Sequence, residues 1–213
     1  MFSSAITFGI IILTSLSQIL PVAAVPAGSN LVRPSPRRAT QDVVWEVQIH
    51  PGGPLVNVTG TVQDVIRYAE KINPNFRSDF AIDDQPPADD SSHVARAEYV
   101  PSTIQWIDCD WGYDAKLDQI IDGIKYLAKV PGRPSMGWNN GECAIVSCDW
   151  GATIQWCNNM DKGGVKTLNS YRSIANAAND LVKYCAGRHK TRVTRGSVYF
   201  HDWSVGVSQV YGC

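Results

Sequence analysis

The sequence has no long apolar run after residue 24, no basic residue before Arg33 and no cysteine before Cys109. A membrane span needs about 20 consecutive apolar residues, so the rest of the chain offers no candidate for one. The first 24 residues have an apolar core and end in Val22-Ala23-Ala24, which predicts a secretory signal peptide over residues 1–24. A membrane anchor is the alternative, but interruptions by Ser and Gln and the following Pro21 disfavour it.

A Pro- and Ser-rich leader covers residues 25–38 and ends in the pair Arg37-Arg38. Secretory processing proteases cut dibasic pairs in flexible segments, so we expect a propeptide and a mature start near Ala39. The alternative is a leader that stays uncut. The single Asn-x-Ser/Thr sequence, at Asn57, predicts an N-glycan.

Cysteine is confined to the part of the chain beyond residue 105: Cys109, Cys143, Cys148, Cys157, Cys185 and Cys213. An even number of cysteines in a secreted chain indicates a framework of three disulfides. The sequence has no C-x2-C pair, and the spacing of nine between Cys148 and Cys157 matches no zinc pattern. We therefore predict no metal site and no cofactor.

The near-neutral net charge hides two segments of different composition. Residues 39–100 carry ten acidic and four basic side chains, whereas residues 101–213 carry ten acidic and twelve basic ones. We predict an acidic module over residues 39–80, a polar, Pro-containing linker over 81–101, and a disulfide-rich domain over 102–213. A net charge of only +2 on that domain argues against nucleic-acid binding.

The acidic module has a strand-strand-helix pattern. VVWEVQIH alternates apolar and polar residues, PGGP at 51–54 supplies a turn, and LVNVTG can pair back as a hairpin. Thr61 precedes a helix that ends at Asn73-Pro74 and whose apolar residues recur at helical spacing: Val62, Val65, Ile66, Ala69 and Ile72. So small a module has little core, which suits a propeptide-like or docking element better than an enzyme.

The disulfide-rich domain predicts two helices and two antiparallel hairpins. DAKLDQIIDGIKYLAKV, with Asp114 as the N-cap, and SYRSIANAANDLVKYC each place apolar residues on one face. CAIVSCDWGATIQWC and GSVYFHDWSVGVSQVYGC are β-branched and aromatic around turn residues, as hairpins are. The predicted fold class is α+β, with two helices on one face of an antiparallel sheet, an α/β sandwich.

Hairpin geometry constrains the disulfides. If CDWGAT turns at Trp150-Gly151, Cys143 lies diagonally beside Cys157, whereas Cys148 and Cys157 are about five residue pairs out of register. The other four cysteines have three possible connectivities. Antiparallel helices would bring Cys109 beside Cys185, which suggests Cys109–Cys185, Cys143–Cys157 and Cys148–Cys213.

Two sets of residues are candidates for binding. Most of the seven tryptophans are expected to cover the core and the disulfides, as Trp156 should, but Trp111, Trp138 and Trp150 lie in turns or loops and could contact a ligand. A basic loop follows the second helix and could meet headgroups, acidic polysaccharide or a channel vestibule: Lys183, Arg188, Lys190, Arg192 and Arg195. A solvated connection explains the loop equally well.

A catalytic interpretation is the weaker one. It would combine His201 or Asp202 with the carboxylates of Asp108, Asp110, Asp114 and Asp149. Glycosidic acid/base chemistry needs carboxylates at defined separations, and Asp in turns and caps is more common. No G-x-S-x-G or H-E-x-x-H signature occurs, so we assign no catalytic residue.

Residues 105–213 resemble the virally encoded killer toxin four family of corn smut and its fungal homologues. The resemblance is carried by VSC before a Gly-containing turn, LVKYC closing a helix, and RVTRGSVYFHDWSVGVSQVYGC ending the chain on a cysteine. The block is also similar to small secreted proteins of plant-associated fungi that carry a WEV...PGG...GT leader module.

The resemblance implies an α/β-sandwich toxin with bridges at the three pairs suggested above, one that impairs calcium uptake without catalysis. The family's lysine two residues before the cysteine matching Cys148 is Val146 here, and the family's extra disulfides are missing. We therefore expect a secreted, non-enzymatic, monomeric effector or killer-toxin-like protein that binds a cell-surface or membrane target of another organism. The alternative is a cell-wall polysaccharide-binding protein or a weak glycoside hydrolase.

Overall fold

The computed structural model describes residues 43–83, 103–137, 140–185, 187–188 and 192–211. The predicted signal peptide, the leader with Arg37 and Arg38, and most of the predicted linker lie outside these ranges. The fold is α+β. Its helices are α1 (Val62–Ile72), α2 (Phe76–Asp79), α3 (Leu117–Lys129) and α4 (Tyr171–Cys185). Its strands are β1 (Val44–Gln48), β2 (Leu55–Thr59), β3 (Trp106–Asp108), β4 (Ala115–Lys116), β5 (Gly132–Met136), β6 (Glu142–Asp149), β7 (Ala152–Asn158), β8 (Lys166–Thr167), β9 (Val193–Thr194), β10 (Gly196–Tyr199) and β11 (Trp203–Gln209).

The largest sheet is five-stranded and antiparallel, in the order β3-β10-β11-β7-β6. Both predicted hairpins are present, as β6–β7 and β10–β11, and β11 joins them by pairing with β7. The predicted helices α3 and α4 pack against each other and against this sheet. Close packing requires a glycine in α3, because a Cβ on Gly123 would lie 2.4 Å from Ser147 Oγ and 3.2 Å from Ile154 of the sheet.

The β6–β7 hairpin differs from the prediction at its open end. Asp149 pairs with Ala152 as expected, but a β-bulge between Ile145 and Ser147 shifts the register beyond it. As a result Cys143 lies directly opposite Cys157, and their Cα atoms are 4.0 Å apart. The predicted diagonal arrangement is wrong, because a bulge places two residues of one strand against one of its partner.

Two of the three predicted disulfides are confirmed. Cys143 is bonded to Cys157, and Cys109 is bonded to Cys185 at the end of α4, with Cα atoms 5.5 Å apart. Cys148 is a disulfide cysteine as well. Its predicted partner, Cys213, lies outside the described residues.

Asp114 does not cap α3. The N-cap position belongs to Lys116, which makes no side-chain cap hydrogen bond. The preceding Ala115 and Lys116 pair instead with β9, so the chain enters the helix directly from a short strand. The Asp114 carboxylate lies 3.5 Å from Arg195 in an ion pair.

The acidic segment has the predicted two strands and a helix, and it shares a sheet with the disulfide-rich segment. Thr61 caps α1 through a capping box with Asp64. Strand β1 pairs with β2 on one side and with β5 on the other, in a four-stranded antiparallel sheet of order β2-β1-β5-β8. The described residues on both sides of the predicted linker therefore contribute to one hydrophobic core.

Candidate functional site: an aromatic surface at one end of the five-stranded sheet

The tip of the β6–β7 hairpin presents Trp150 to solvent. Trp150 and Gly151 both have positive φ, 49° and 83°, as the central residues of a type I′ hairpin turn do. This left-handed conformation costs a residue with a side chain about 1–2 kcal/mol, and glycine or asparagine is usual there. The indole gains little packing in return, since Trp150 is 78% exposed. An exposed tryptophan in a strained turn is more typical of a functional contact than of a structural one.

Two further exposed aromatic residues, Tyr113 and Tyr211, lie at the same end of the sheet. The N–H of Gln209 donates to the carbonyl of Tyr113 at 3.0 Å, and the N–H of Val210 donates to the carbonyl of Gly151 at 2.8 Å. These bonds tie both tyrosine segments to the hairpin tip. Tyr211 is 89% and Tyr113 is 68% exposed, so with Trp150 they are the three most exposed large hydrophobic residues described. We call Tyr113, Trp150 and Tyr211 the aromatic end surface.

The segment that carries Tyr113 is fixed on the sheet by its neighbours. The N–H of Tyr113 donates to Ser208 Oγ at 2.9 Å. The ring of Trp111 packs over Gly206 of β11 so closely that a Cβ on Gly206 would lie 2.6 Å from it. Trp111, predicted as a binding residue, is therefore partly buried, and we assign it an anchoring role. Trp138 lies outside the described residues.

An aromatic pair lies at the opposite edge of the same sheet, where β3 pairs with β10. The rings of Trp106 and Tyr199 are stacked, with centroids 4.0 Å apart and planes inclined by 4°, and Trp106 is 53% exposed. Trp106 is not among the predicted binding residues. Trp106 lies beside Tyr199 because β3 pairs with β10. A strand of three residues is too short to give a recognisable pattern in the sequence.

Carboxylates are the charged groups next to the aromatic end surface. Asp114 follows Tyr113, and Asp149 precedes Trp150; no basic residue adjoins any of the three aromatics in the sequence. Arg195, the cation nearby, is paired with Asp110 and Asp114 at 3.5 Å each. The residues that adjoin the three rings in the sequence are therefore neutral or acidic.

The described arginines of the basic loop contact other side chains. Arg192 forms an ion pair with Asp118, and this hydrogen bond raises the pKa of the guanidinium above its ordinary value. Arg188 lies over the ring of Tyr184, 5.0 Å from its centroid. Lys190 lies outside the described residues. Among the described residues of the loop, Arg192 and Arg195 are held in ion pairs with aspartates, which reduces the positive charge that the loop presents.

One carboxylate of the catalytic interpretation, Asp149, lies far from the histidine it would act with. Asp149 pairs with Ala152, which pairs with Gln209 at the end of β11. His201 and Asp202 lie just before the start of that seven-residue strand, and Asp202 is paired with Lys166 at 2.9 Å. At about 3.4 Å per residue the two groups are some 20 Å apart, whereas glycosidase carboxylates lie within about 10 Å. The combination of Asp149 with His201 or Asp202 is therefore wrong.

Other site classes find no support in the described part of the chain. It holds no cluster of three or more His, Cys, Asp or Glu side chains that could bind a metal ion. Within the same ranges, no helix has the length and apolar character required to span a bilayer. No protein family, curated protein or solved structure matches the chain.

Asn57, the predicted glycosylation residue, is exposed on β2. This strand is at the edge of the four-stranded sheet. A glycan there would extend into solvent without displacing a strand. Glycosylation itself stays a prediction.

Proposed function

We propose that this protein is a secreted, non-enzymatic effector or killer-toxin-like protein that binds a component of another cell's surface through the aromatic end surface. Three exposed rings on braced backbone provide flat apolar faces with polar edges, and such residues dominate the binding energy of many recognition surfaces. The observation that carries the proposal is Trp150, exposed and in a strained left-handed conformation at the hairpin tip.

We propose an uncharged cell-wall polysaccharide as the target class. The C–H face of a pyranose ring is apolar and can stack on an indole or phenol ring, and its hydroxyl groups can donate hydrogen bonds to the carboxylates of Asp114 and Asp149. The Asp149 carboxylate would repel a membrane rich in anionic lipid, which attracts basic segments, whereas the Asp114 carboxylate is paired with Arg195. The acidic residue beside Trp150 and the lack of an adjoining basic residue in the sequence therefore favour a neutral glycan over an anionic phospholipid surface.

The killer-toxin-like membrane target is the second candidate. The β hairpins, the two helices on one sheet and the pairs Cys109–Cys185 and Cys143–Cys157 support it. The position of the toxin family's lysine speaks against a shared target, because Val146 is fully buried here and cannot contact another molecule. The basic loop is a poor substitute for that lysine, because its residues Arg192 and Arg195 are held in ion pairs.

Secretion and the third disulfide belong to the same proposal. Disulfides form and persist in oxidising compartments, so the two bridges present support passage through the secretory pathway.

We propose Cys148–Cys213 as the third bridge, which would hold the chain end and Tyr211 near the β6–β7 hairpin. Peptide mapping without reduction tests it, and a Cys148–Cys157 peptide would contradict it.

Sedimentation with insoluble chitin, β-glucan and cellulose tests the target class, with vesicles of neutral and of anionic lipid as the competing surfaces. We expect the secreted full-length protein to be retained by at least one polysaccharide and to stay in solution with both vesicles. Retention by anionic vesicles alone would support the membrane target. Retention by none of these surfaces would contradict the polysaccharide proposal.

A further inference from the structure

We propose that residues 43–83 form a subunit that stays bound to the rest of the folded protein without its covalent connection, seated on a strand-accepting surface formed by β5, Tyr171 and the outer edge of β6. All six cysteines lie at or beyond residue 109, so no disulfide within the chain can link residues 43–83 to the rest. The covalent connection runs through residues 84–102 alone. Retention after a cut there would depend on the contacts between the two parts.

The first contact is the pairing of β1 with β5. Val44 through Val47 lie opposite Ser135 through Gly132 in antiparallel register. The backbones approach so closely at Gly132 that a Cβ there would lie 1.8 Å from the carbonyl oxygen of Glu46. Gly132 also has a φ of 131°, which side-chain-bearing residues rarely adopt. The receiving strand thus carries a glycine where β1 requires one.

The second contact is in the core. Trp45 is fully buried, and its ring stacks on Tyr171 with centroids 4.1 Å apart. The Tyr171 hydroxyl donates to the carbonyl of Arg133 at 2.9 Å, which fixes the ring beside β5. Burial raises the pKa of this hydroxyl well above its ordinary value, so it stays protonated and keeps donating. Removing residues 43–83 would expose the ring of Tyr171 and the apolar side of β5.

The third contact covers an open sheet edge. β6 is the last strand of the five-stranded sheet and carries the bulge, which leaves backbone groups without strand partners. Gln63 of α1 satisfies this edge twice: its side-chain amide donates to Ser147 Oγ at 2.9 Å, and its carbonyl accepts from the N–H of Cys148 at 3.2 Å. A single side chain of the first part thus pairs with the edge of the second.

The fourth contact joins α2 to α3. Arg77 forms ion pairs with Glu70 and Asp83 of its own segment, and its guanidinium lies 5.7 Å from the centroid of the Tyr126 ring of α3. Strand pairing and core burial both involve β1, whereas the edge contact comes from α1 and the cation–π contact from α2, so three elements of residues 43–83 contribute to holding the two parts together.

Controlled cleavage of the full chain tests the proposal. A recognition sequence for a specific protease is inserted between Ser91 and Ser92, and the folded protein is cut and passed over a size-exclusion column at low micromolar concentration. We expect the two pieces to elute together in buffer and separately in denaturant. Separation in buffer would overturn the proposal.

Glycine variants of the cut protein locate the contact. We expect Gly132→Ala to reduce the retained fraction at least tenfold, because its methyl group would collide with the Glu46 carbonyl. Gly187→Ala is the control, since Gly187 also has positive φ but nothing lies within 4 Å of its Cβ position. Full retention in Gly132→Ala would contradict the seating of β1 on β5.

Gln63→Ala tests the same association of the cut pieces if Gly132→Ala does not fold. Loss of both edge hydrogen bonds should speed dissociation of the cut pieces about tenfold, because the N–H of Cys148 loses its partner. Lys71→Ala is the control, because Lys71 is exposed on the same helix. Equal dissociation rates for Gln63→Ala and Lys71→Ala would refute the edge contact.

Discussion

The backbone N–H of Val210 donates a hydrogen bond to the carbonyl oxygen of Gly151 at 2.8 Å, which joins the end of β11 to the tip of the β6–β7 hairpin. Gln209 strengthens the junction, since its side-chain amide donates to the carbonyl of Trp150 at 3.4 Å. The aromatic end surface is thus formed by three segments that are far apart in the sequence. Its rigidity comes from backbone bonds, so changes to the exposed rings should leave the fold intact.

Trp150→Gly should stabilise the protein while Trp150→Ala should not. Glycine adopts positive φ without the steric cost that alanine shares with tryptophan. We expect the free energy of unfolding of Trp150→Gly to exceed that of Trp150→Ala by about 1 kcal/mol, measured by urea denaturation. Equal stability of the two variants would contradict the claim that the turn is strained.

Asp64→Ala should lower stability in a pH-dependent way. Partial burial would raise the pKa of Asp64, but the hydrogen bonds from the Thr61 backbone and hydroxyl, with the charge of Arg67, lower it overall below 3.8. A depressed folded-state pKa stabilises the protein above the unfolded value, and the contribution is lost as the pH falls through the folded-state value. We expect a cost of about 1 kcal/mol at pH 7 that shrinks below pH 3.8.

The control for this comparison is Asp122→Ala. Asp122 pairs with Lys125 on the exposed side of α3, where such a pair contributes less than about 0.5 kcal/mol. A cost for Asp64→Ala that stays constant from pH 7 down to pH 2.5 would show that the carboxylate charge does not matter to the cap.

The two confirmed disulfides should differ in their contribution to stability. Cys109–Cys185 spans 76 residues of sequence, whereas Cys143–Cys157 spans 14. Chain entropy predicts a loss of about 4.5 kcal/mol for the paired change of Cys109 and Cys185 to alanine, and about 3 kcal/mol for the other pair. Denaturant unfolding of both double variants measures the difference. A larger loss for Cys143–Cys157 would mean that packing, not loop length, governs it.

Local patterns in the sequence predicted most of the elements. The apolar spacing of α1, α3 and α4 and the alternation of β6, β7, β10 and β11 were sufficient for these, and Trp156 is fully buried as expected. The bulge near Val146 was not predictable, because each register leaves a plausible pattern of apolar residues on the faces. Strand β5 was missed because its sequence, GRPSM, has the Gly and Pro of a turn.

The candidate site was predicted in part. Trp150 follows from the hairpin turn, since the central residues of a two-residue loop point away from the core. Tyr113 and Tyr211 were missed because their place at the same end of the sheet as Trp150 arises from long-range contacts, those of residues 111–113 with β11 and that of Val210 with Gly151. The shared sheet of β1 and β5 was missed for the same reason: pairing between distant segments leaves no local pattern.

The most direct test of the account is the affinity of ring-deleted variants for the polysaccharide that retains the full-length protein. We predict that Trp150→Ala weakens binding at least tenfold, that Tyr113→Ala and Tyr211→Ala each weaken it severalfold, and that all three keep the wild-type fold. Tyr184→Ala is the matched control, because Tyr184 is 54% exposed on α4, away from the aromatic end surface. Unchanged binding by Trp150→Ala, or an equal loss in Tyr184→Ala, would contradict the central claim.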